Sequence, residues 1–358
     1  MPQAPHLAQT PAAPSAATPH DTERHDAAQD NTAQDSTAQD TTAPHGTGQH
    51  GAAQVNTAAH NTGQHDALVR RMARLAAEHG GHDAVVVPTR PDVVIVRAGD
   101  VVVKAHAPGM EPGPLRMRMR ATAAPAMSGV LLPPLSVEVT ETHDRLVTVW
   151  PAGEPVDQSD PDAAPWEEAA RLLAALHSVP AEALPPLPPA HGPRRAAGLV
   201  AALTGDGPEE RVIRRAFATL PPEARGERPH PRPAVTHGDW HMGQLVRRGD
   251  WILIDVDDLG LGDQAWDLAR PAAWFAIGLL ERSQWERFLG SYLAAGSPAL
   301  GDGADPWARL DIPARALSAQ LAAAAVAKAR EQFRPLDEVD ALLVDTCARI
   351  VSAGGTPP

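Results

Sequence analysis

Residues 235–274, VTHGDWHMGQLVRRGDWILIDVDDLGLGDQAWDLARPAAW, carry more chemistry than any other part of the 358-residue chain. A loop, His237-Gly238-Asp239-Trp240-His241-Met242-Gly243-Gln244, leads into the apolar pair Leu245 and Val246. A turn at Arg248-Gly249-Asp250 follows, and a second apolar run from Trp251 to Ile254 ends at Asp255. Two apolar runs about a short glycine-containing turn predict a β-hairpin. Such a hairpin holds Asp239 and Gln244 before its first strand and Asp255 after its second. Two carboxylates and a side-chain amide then share one cleft. Phosphoryl transfer uses this set: one carboxylate beside the attacking hydroxyl, and an amide oxygen with a second carboxylate on Mg²⁺.

Bulk properties narrow the field around that cleft. Hydrophobic residues make up 43%, enough for a sizeable core, and the length allows two lobes. A formal net charge of −13 argues against a nucleic-acid partner, which would meet a basic face, and is compatible with a cationic substrate. Cys347 is the only cysteine, which rules out a disulfide framework or a cysteine zinc site within the chain. A reducing cytoplasm is therefore expected. No apolar run reaches the roughly 20 residues of a membrane helix, and no secretory signal opens the sequence.

Towards the N-terminus, residues 1–65 consist mainly of Ala, Thr, Gln, Asp, His and Pro with almost no large apolar side chains, and a solvated, disordered tail is expected. Its histidines could bind metal loosely, but composition favours the tail alone. From Asp66 an amphipathic helix is expected, carrying Leu68, Met72, Leu75 and Ala76 to Gly80-Gly81. Three β-rich runs follow, ending in Val101-Val102-Val103-Lys104. Lys104 reads either as an edge-strand lysine or as a nucleotide-binding lysine on a third strand. The turn Pro88-Thr89-Arg90-Pro91-Asp92 has no glycine to let backbone amides approach phosphates, and Arg90 is a substitute phosphate contact. A helix is expected over Leu115–Met127, with arginines where a glutamate partner for the lysine would stand. Glu111 lies before that helix. Two more strands, Val137–Thr140 and Leu146–Trp150, end at Pro151-Ala152-Gly153, which suits a hinge. There the backbone near Val149 and Trp150 is expected to meet an adenine. An N-lobe over 66–150 and a mostly helical C-lobe over 151–353 follow, an α+β arrangement.

The C-lobe opens with a helix from Ala163 to His177, stopped by Pro180. Residues 181–232 are proline-rich, with one expected helix over Glu209–Leu220, and read either as part of a substrate wall or as a connection. Beyond the hairpin, Asp263 suits an N-cap, and helices are expected over Gln284–Ala294, Ile312–Arg330 and Asp337–Val351.

In their order and separation, these pieces resemble the aminoglycoside phosphotransferase family, within the protein-kinase-like fold. The matching motifs are HGDWHMGQ (237–244), LIDVDDLGLGD (253–263) followed by WDLA (266–269), LAALH (173–177) and VVVKAH (101–106). The resemblance spans about Asp66 to Val351. It implies a two-lobed kinase that uses ATP and Mg²⁺ on a small hydroxylated molecule such as an aminoglycoside, an amino alcohol or a sugar. Asp239 matches the catalytic aspartate, Asp255 the metal-binding aspartate and Lys104 the nucleotide lysine. Gln244 stands where the family usually has asparagine on the metal, although maltose kinases look like HGDxHxGQ here. His237 is expected to support the loop, and Asp263 and Asp267 to brace the loop and the next helix. Two other readings stand beside this one. A nucleotide-binding pseudokinase accounts for the absent glycine loop, the absent helix glutamate and Gln244. A metal hydrolase accounts for the HxDxH pattern of His237, Asp239 and His241. The sequence assigns no oligomeric state.

Overall fold

The computed structural model describes residues 51–89, 92–157, 160–296, 299–301 and 305–354. Of the tail expected over 1–65, residues 1–50 lie outside that range, as does Arg90. The first helix, α1, spans Gly51–Glu78, so helix begins before Asp66. Alanine and glutamine in this stretch are good helix formers, and extending a nucleated helix costs little.

Five strands follow from the β-branched runs: β1 (Val85–Val87), β2 (Val94–Ala98), β3 (Val101–Ala105), β4 (Ser136–Thr142) and β5 (Arg145–Pro151). They form an antiparallel sheet in the order β1-β2-β3-β5-β4. Lys104 pairs with Ile95 on one side and Thr148 on the other. One face of the sheet buries Val96, Val103 and Val149 against Leu68, Met72 and Leu75 of α1. Helix α2 (Pro112–Thr122) is shorter than the expected Leu115–Met127. Pro125 cannot continue a helix, and a separate 3₁₀ turn covers Pro125–Met127. Leu115 and Met119 of α2 join the larger core of the C-terminal half.

That half contains β6 (Glu154–Pro155), α3 (Trp166–His177), α4 (Gly192–Ala201), α5 (Pro208–Ala218), β7 (Ala234–Thr236), β8 (Leu245–Arg248), β9 (Asp250–Leu253) and β10 (Gly260–Gly262). Helices α6 (Ala269–Ala276), α7 (Arg282–Ala294), α8 (Trp307–Glu331) and α9 (Glu338–Gly354) complete it. The hairpin β8–β9 turns at Gly249, whose φ of 80° is left-handed, as the tight turn requires. The two halves are stitched together at β9, where Leu132 N–H donates to Leu253 O (2.8 Å) and Leu253 N–H to Val130 O (3.0 Å). Helix α4 was not foreseen. It begins Gly192-Pro193, and proline is well placed at the first turn because its missing N–H has no partner there anyway. No helix among the described residues is long and apolar enough to cross a membrane.

Candidate active site

Strand β7 pairs antiparallel with β10, which sets the loop after Thr236 beside the segment that follows the hairpin. Asp267 then fixes the loop backbone. One carboxylate oxygen accepts from Gly238 N–H at 2.7 Å, and the other from His237 N–H at 2.6 Å and the Thr236 hydroxyl at 3.0 Å. His177 Nε2 reaches the same second oxygen at 3.0 Å, and its Nδ1 meets the Tyr292 hydroxyl at 2.6 Å. A carboxylate only accepts, so Nε2 carries the proton, and in a neutral ring the tyrosine hydroxyl donates to Nδ1. Burial pushes the Asp267 carboxyl up, but the bond from His177 and the charges of His177 and His237 hold it below its usual range. His237 places Nε2 2.8 Å from Ile254 O and so ties the loop to the end of the hairpin. Asp263 caps the next turn by accepting from Ala265 N–H at 3.1 Å. His237 and Asp267 thus brace the loop, and Asp263 braces the turn that follows.

Asp239 projects from that loop between two guanidinium groups. Arg195 of α4 reaches one of its oxygens, and Arg270 of α6 reaches the other at 3.0 Å. Arg195 also contacts Asp258 at 2.6 Å and Gly238 O at 3.3 Å. Burial raises the Asp239 carboxyl, but the charges of Arg195 and Arg270 outweigh it and keep the group ionised far into acid. Helix α4 can stand this close because its first residue has no side chain. A Cβ on Gly192 would lie 2.6 Å from Gly238 O and collide with the Trp266 indole nitrogen.

Asp255 follows β9 with a left-handed φ of 63°, which kinks the chain there. Lys104 Nζ lies 2.7 Å from Asp255 Oδ1 and 2.9 Å from Asp257 Oδ2. Burial alone would lower the lysine, but the two carboxylates prevail and hold its pKa above the ordinary value. Lys104 and Asp255 are thus brought together, and α2 supplies no carboxylate. Its buried Arg118 donates to Leu259 O at 2.8 Å instead. The expected adenine contact needs correcting. Val149 and Trp150 lie within β5, opposite Val103 and Val102, and Val149 O already accepts from Leu135 N–H at 3.0 Å. The sheet runs on to Pro151, and Ala152 N–H donates to Asp100 O at 2.7 Å, so the backbone at Val149 is not free.

Gln244 opens the β8–β9 hairpin and is bound across it, since its backbone oxygen accepts from Ile254 N–H at 2.9 Å. Its side-chain amide meets His241 Nε2 at 3.1 Å, while His241 Nδ1 accepts from Gly243 N–H at 3.1 Å. Burial and the Arg270 charge push His241 down to about 4, so the ring is neutral at pH 7. The amide nitrogen is placed against this ring, but a neutral ring accepting at Nδ1 donates at Nε2, so the amide is read turned, with the Gln244 oxygen towards His241. Gln244 and Asp255 offer hard oxygen donors, and the Lys104 ammonium shows that Asp255 accommodates a cation. These residues fit Mg²⁺, which takes few protein ligands and keeps several waters. His237 and His241 point to separate partners, and no group of three or more His, Cys, Asp or Glu among the described residues is arranged to hold a metal.

The proline-rich segment does form a wall. Arg194, Glu223 and Arg228 help line a cavity of about 600 Å³ that reaches Gly238 of the loop and Arg309 of α8. Asp257, Asp258, Arg195 and Arg270 went unassigned in the sequence. The run Asp255-Val256-Asp257-Asp258 was the visible signal for the two carboxylates, but nothing marked Arg195.

The profile of APH, the phosphotransferase enzyme family, matches residues 90–311. Among solved structures, a choline/ethanolamine kinase family protein from Mesorhizobium loti is 17% identical with a TM-score of 0.54, covering 82% of this chain and 96% of its own. A thermostable mutant of aminoglycoside phosphotransferase APH(4)-Ia, in ternary complex with ADP and hygromycin B, is 12% identical with a TM-score of 0.54, over 80% of this chain and 99% of its own. Spectinomycin phosphotransferase APH(9)-Ia, in complex with ADP and spectinomycin, is 13% identical at a TM-score of 0.54, over 80% and 98%. At these identities the likeness is one of fold. No curated protein sequence matches the chain.

Proposed function

The chain belongs to the phosphotransferase enzyme family, and on that premise we propose that it moves the γ-phosphate of ATP to a hydroxyl of a small molecule. The observation that carries this reading is the convergence of Asp239, on a loop braced by Asp267, with the Lys104–Asp255 pair behind the hairpin. Asp239 orients the acceptor hydroxyl and takes its proton as the oxygen–phosphorus bond forms and ADP leaves. Arg195 and Arg270 keep it ionised, and one guanidinium must yield its place to the acceptor. Lys104 neutralises the α and β phosphates. Gln244 and Asp255 would hold Mg²⁺, which when bound neutralises charge on the β and γ phosphates. Gln244 has to turn its oxygen away from His241 to do so. The use of ATP has support from the fold neighbours bound to ADP, and a hydroxylated acceptor from those bound to hygromycin B and spectinomycin.

Turnover of Mg·ATP against a panel of aminoglycosides, amino alcohols and sugars tests the proposal. Asp239→Asn should lower transfer by about a hundredfold or more while leaving nucleotide affinity nearly unchanged. Transfer at the parental rate in that variant would remove Asp239 from its role. One observation favours a second reading, a nucleotide-binding pseudokinase: both oxygens of Asp239 are already covered by arginine. Mg·ATP binding with no turnover on any acceptor in the panel would select it.

A further inference from the structure

The α2 helix has no acidic residue, yet Lys104 is not left without a carboxylate. We propose that Asp257, backed by His106, is the positioning residue that holds Lys104 for the nucleotide phosphates, in place of a glutamate on α2. The proposal rests on the kinase reading above.

Lys104 contacts two carboxylates, but they are not equivalent. Asp255 is committed to the metal in that reading, so its hold on the lysine must loosen when the ion arrives. Asp257 is free of that duty and keeps the lysine at 2.9 Å. Its own position is fixed from behind. His106 is fully buried, and its Nδ1 lies 2.8 Å from Asp257 Oδ1, a close contact whose angle falls short of an aligned hydrogen bond. His106 Nε2 meets the Thr148 hydroxyl at 2.9 Å, and the Trp150 indole N–H donates to that hydroxyl at 2.8 Å. A proton on Nδ1 facing the carboxylate leaves Nε2 to accept from Thr148 in a neutral ring, and Thr148 in turn accepts from Trp150. The chain of contacts therefore runs from β5 through the end of β3 to Asp257 and back to Lys104. Both ends of the pair are buried.

The helix side has reversed its charge to match. Arg118, buried on α2, is pinned to Leu259 O, two residues beyond Asp257. A cation on the helix and an anion on the loop stand where a helix anion would pair with the strand lysine. A glutamate on α2 would move with that helix. Asp257 moves with the metal-binding segment instead, so the lysine is placed by the same short stretch of chain that carries Asp255.

The test needs no acceptor. Lys104 and Lys328 are the only lysines of the chain, and Lys328 is exposed and serves as an internal reference. Acylation by a small amine reagent, followed by mass spectrometry of both sites, reads how firmly Lys104 is held without nucleotide. Asp257→Asn should raise Lys104 labelling several-fold relative to Lys328 and weaken Mg·ATP binding by about tenfold in calorimetry. Asp257→Glu should restore part of both. Unchanged labelling and affinity in Asp257→Asn would overturn the proposal. So would faster labelling with parental affinity, because the lysine would then be held but not for phosphate. A parent that binds no Mg·ATP would overturn the kinase reading with it, whereas a binding parent and an indifferent Asp257→Asn would overturn this proposal alone. If Asp257→Asn does not fold, His106→Asn must shift both readouts in the same direction, and no shift would count equally against it.

Discussion

Asp267→Asn is the substitution whose cost can be worked most directly from the structure. The carboxylate takes Gly238 N–H on one oxygen and three donors, from His237, Thr236 and His177, on the other. Asparagine has one oxygen. Placed towards the three donors, it leaves its NH₂ facing Gly238 N–H, so one buried donor goes unmet, at about 1–3 kcal/mol. The three surviving bonds lose their charge assistance, at roughly 1 kcal/mol or less each. The sum is about 1–6 kcal/mol, up to a large share of the 5–15 kcal/mol typical of a folded domain. Urea unfolding at pH 7 with linear extrapolation measures it. The sign with pH follows from the depressed carboxyl. Its contribution is complete above the unfolded value of about 3.9 and is lost as pH falls through the folded one. The gap between parent and variant should therefore narrow below about pH 4. A loss under 1 kcal/mol at pH 7 with an unchanged slope would refute the view that this carboxylate holds the loop.

Two further outcomes follow from the same geometry. Burial, and beyond the pull of Arg195 the neighbouring Asp239, Asp257 and Asp255, push Asp258 up to about 6. The folded form then binds the proton more tightly than the unfolded one, so stability falls between about pH 4 and 6. Asp258→Asn should gain up to about 3 kcal/mol at pH 7.5 and nothing at pH 4, and a less stable variant at pH 7.5 in urea unfolding would contradict this. Gly192→Ala should push α4 off the loop at a cost of about 1–3 kcal/mol and lower turnover at least tenfold, whereas parental turnover and melting would show that the seam can yield.

The hairpin and the loop before it were legible because each rests on a short pattern with a fixed geometric meaning. Arg195 was not, because prolines at 185, 186, 188 and 189 make its surroundings read as connection, and only the structure shows that Ala190 N–H and His191 N–H dock on Leu261 O and Asp258 O. Asp257 and Asp258 were visible as letters but not as roles. An acidic run ordinarily reads as a solvated face, and its partners come from β3, the residue that follows it, and α4. The backbone at Val149 was misjudged because a strand end in sequence does not reveal which carbonyls a neighbouring strand has taken. One signal was there to be used. In a chain with 31 lysines and arginines, all but Lys104 and Lys328 are arginine, so lysine at 104 marks a place for a compact point charge.

The left-handed kink at Asp255 does more than end a strand. The bend deals the three charges out: two go to Lys104 on the N-terminal sheet and one to Arg195 on the helical half. Four consecutive residues thereby grip both halves of the molecule at once. They form a fulcrum: the peptide at Asp255 is tied to Lys104 on one side and, through Asp258 and Arg195, to Asp239 on the other.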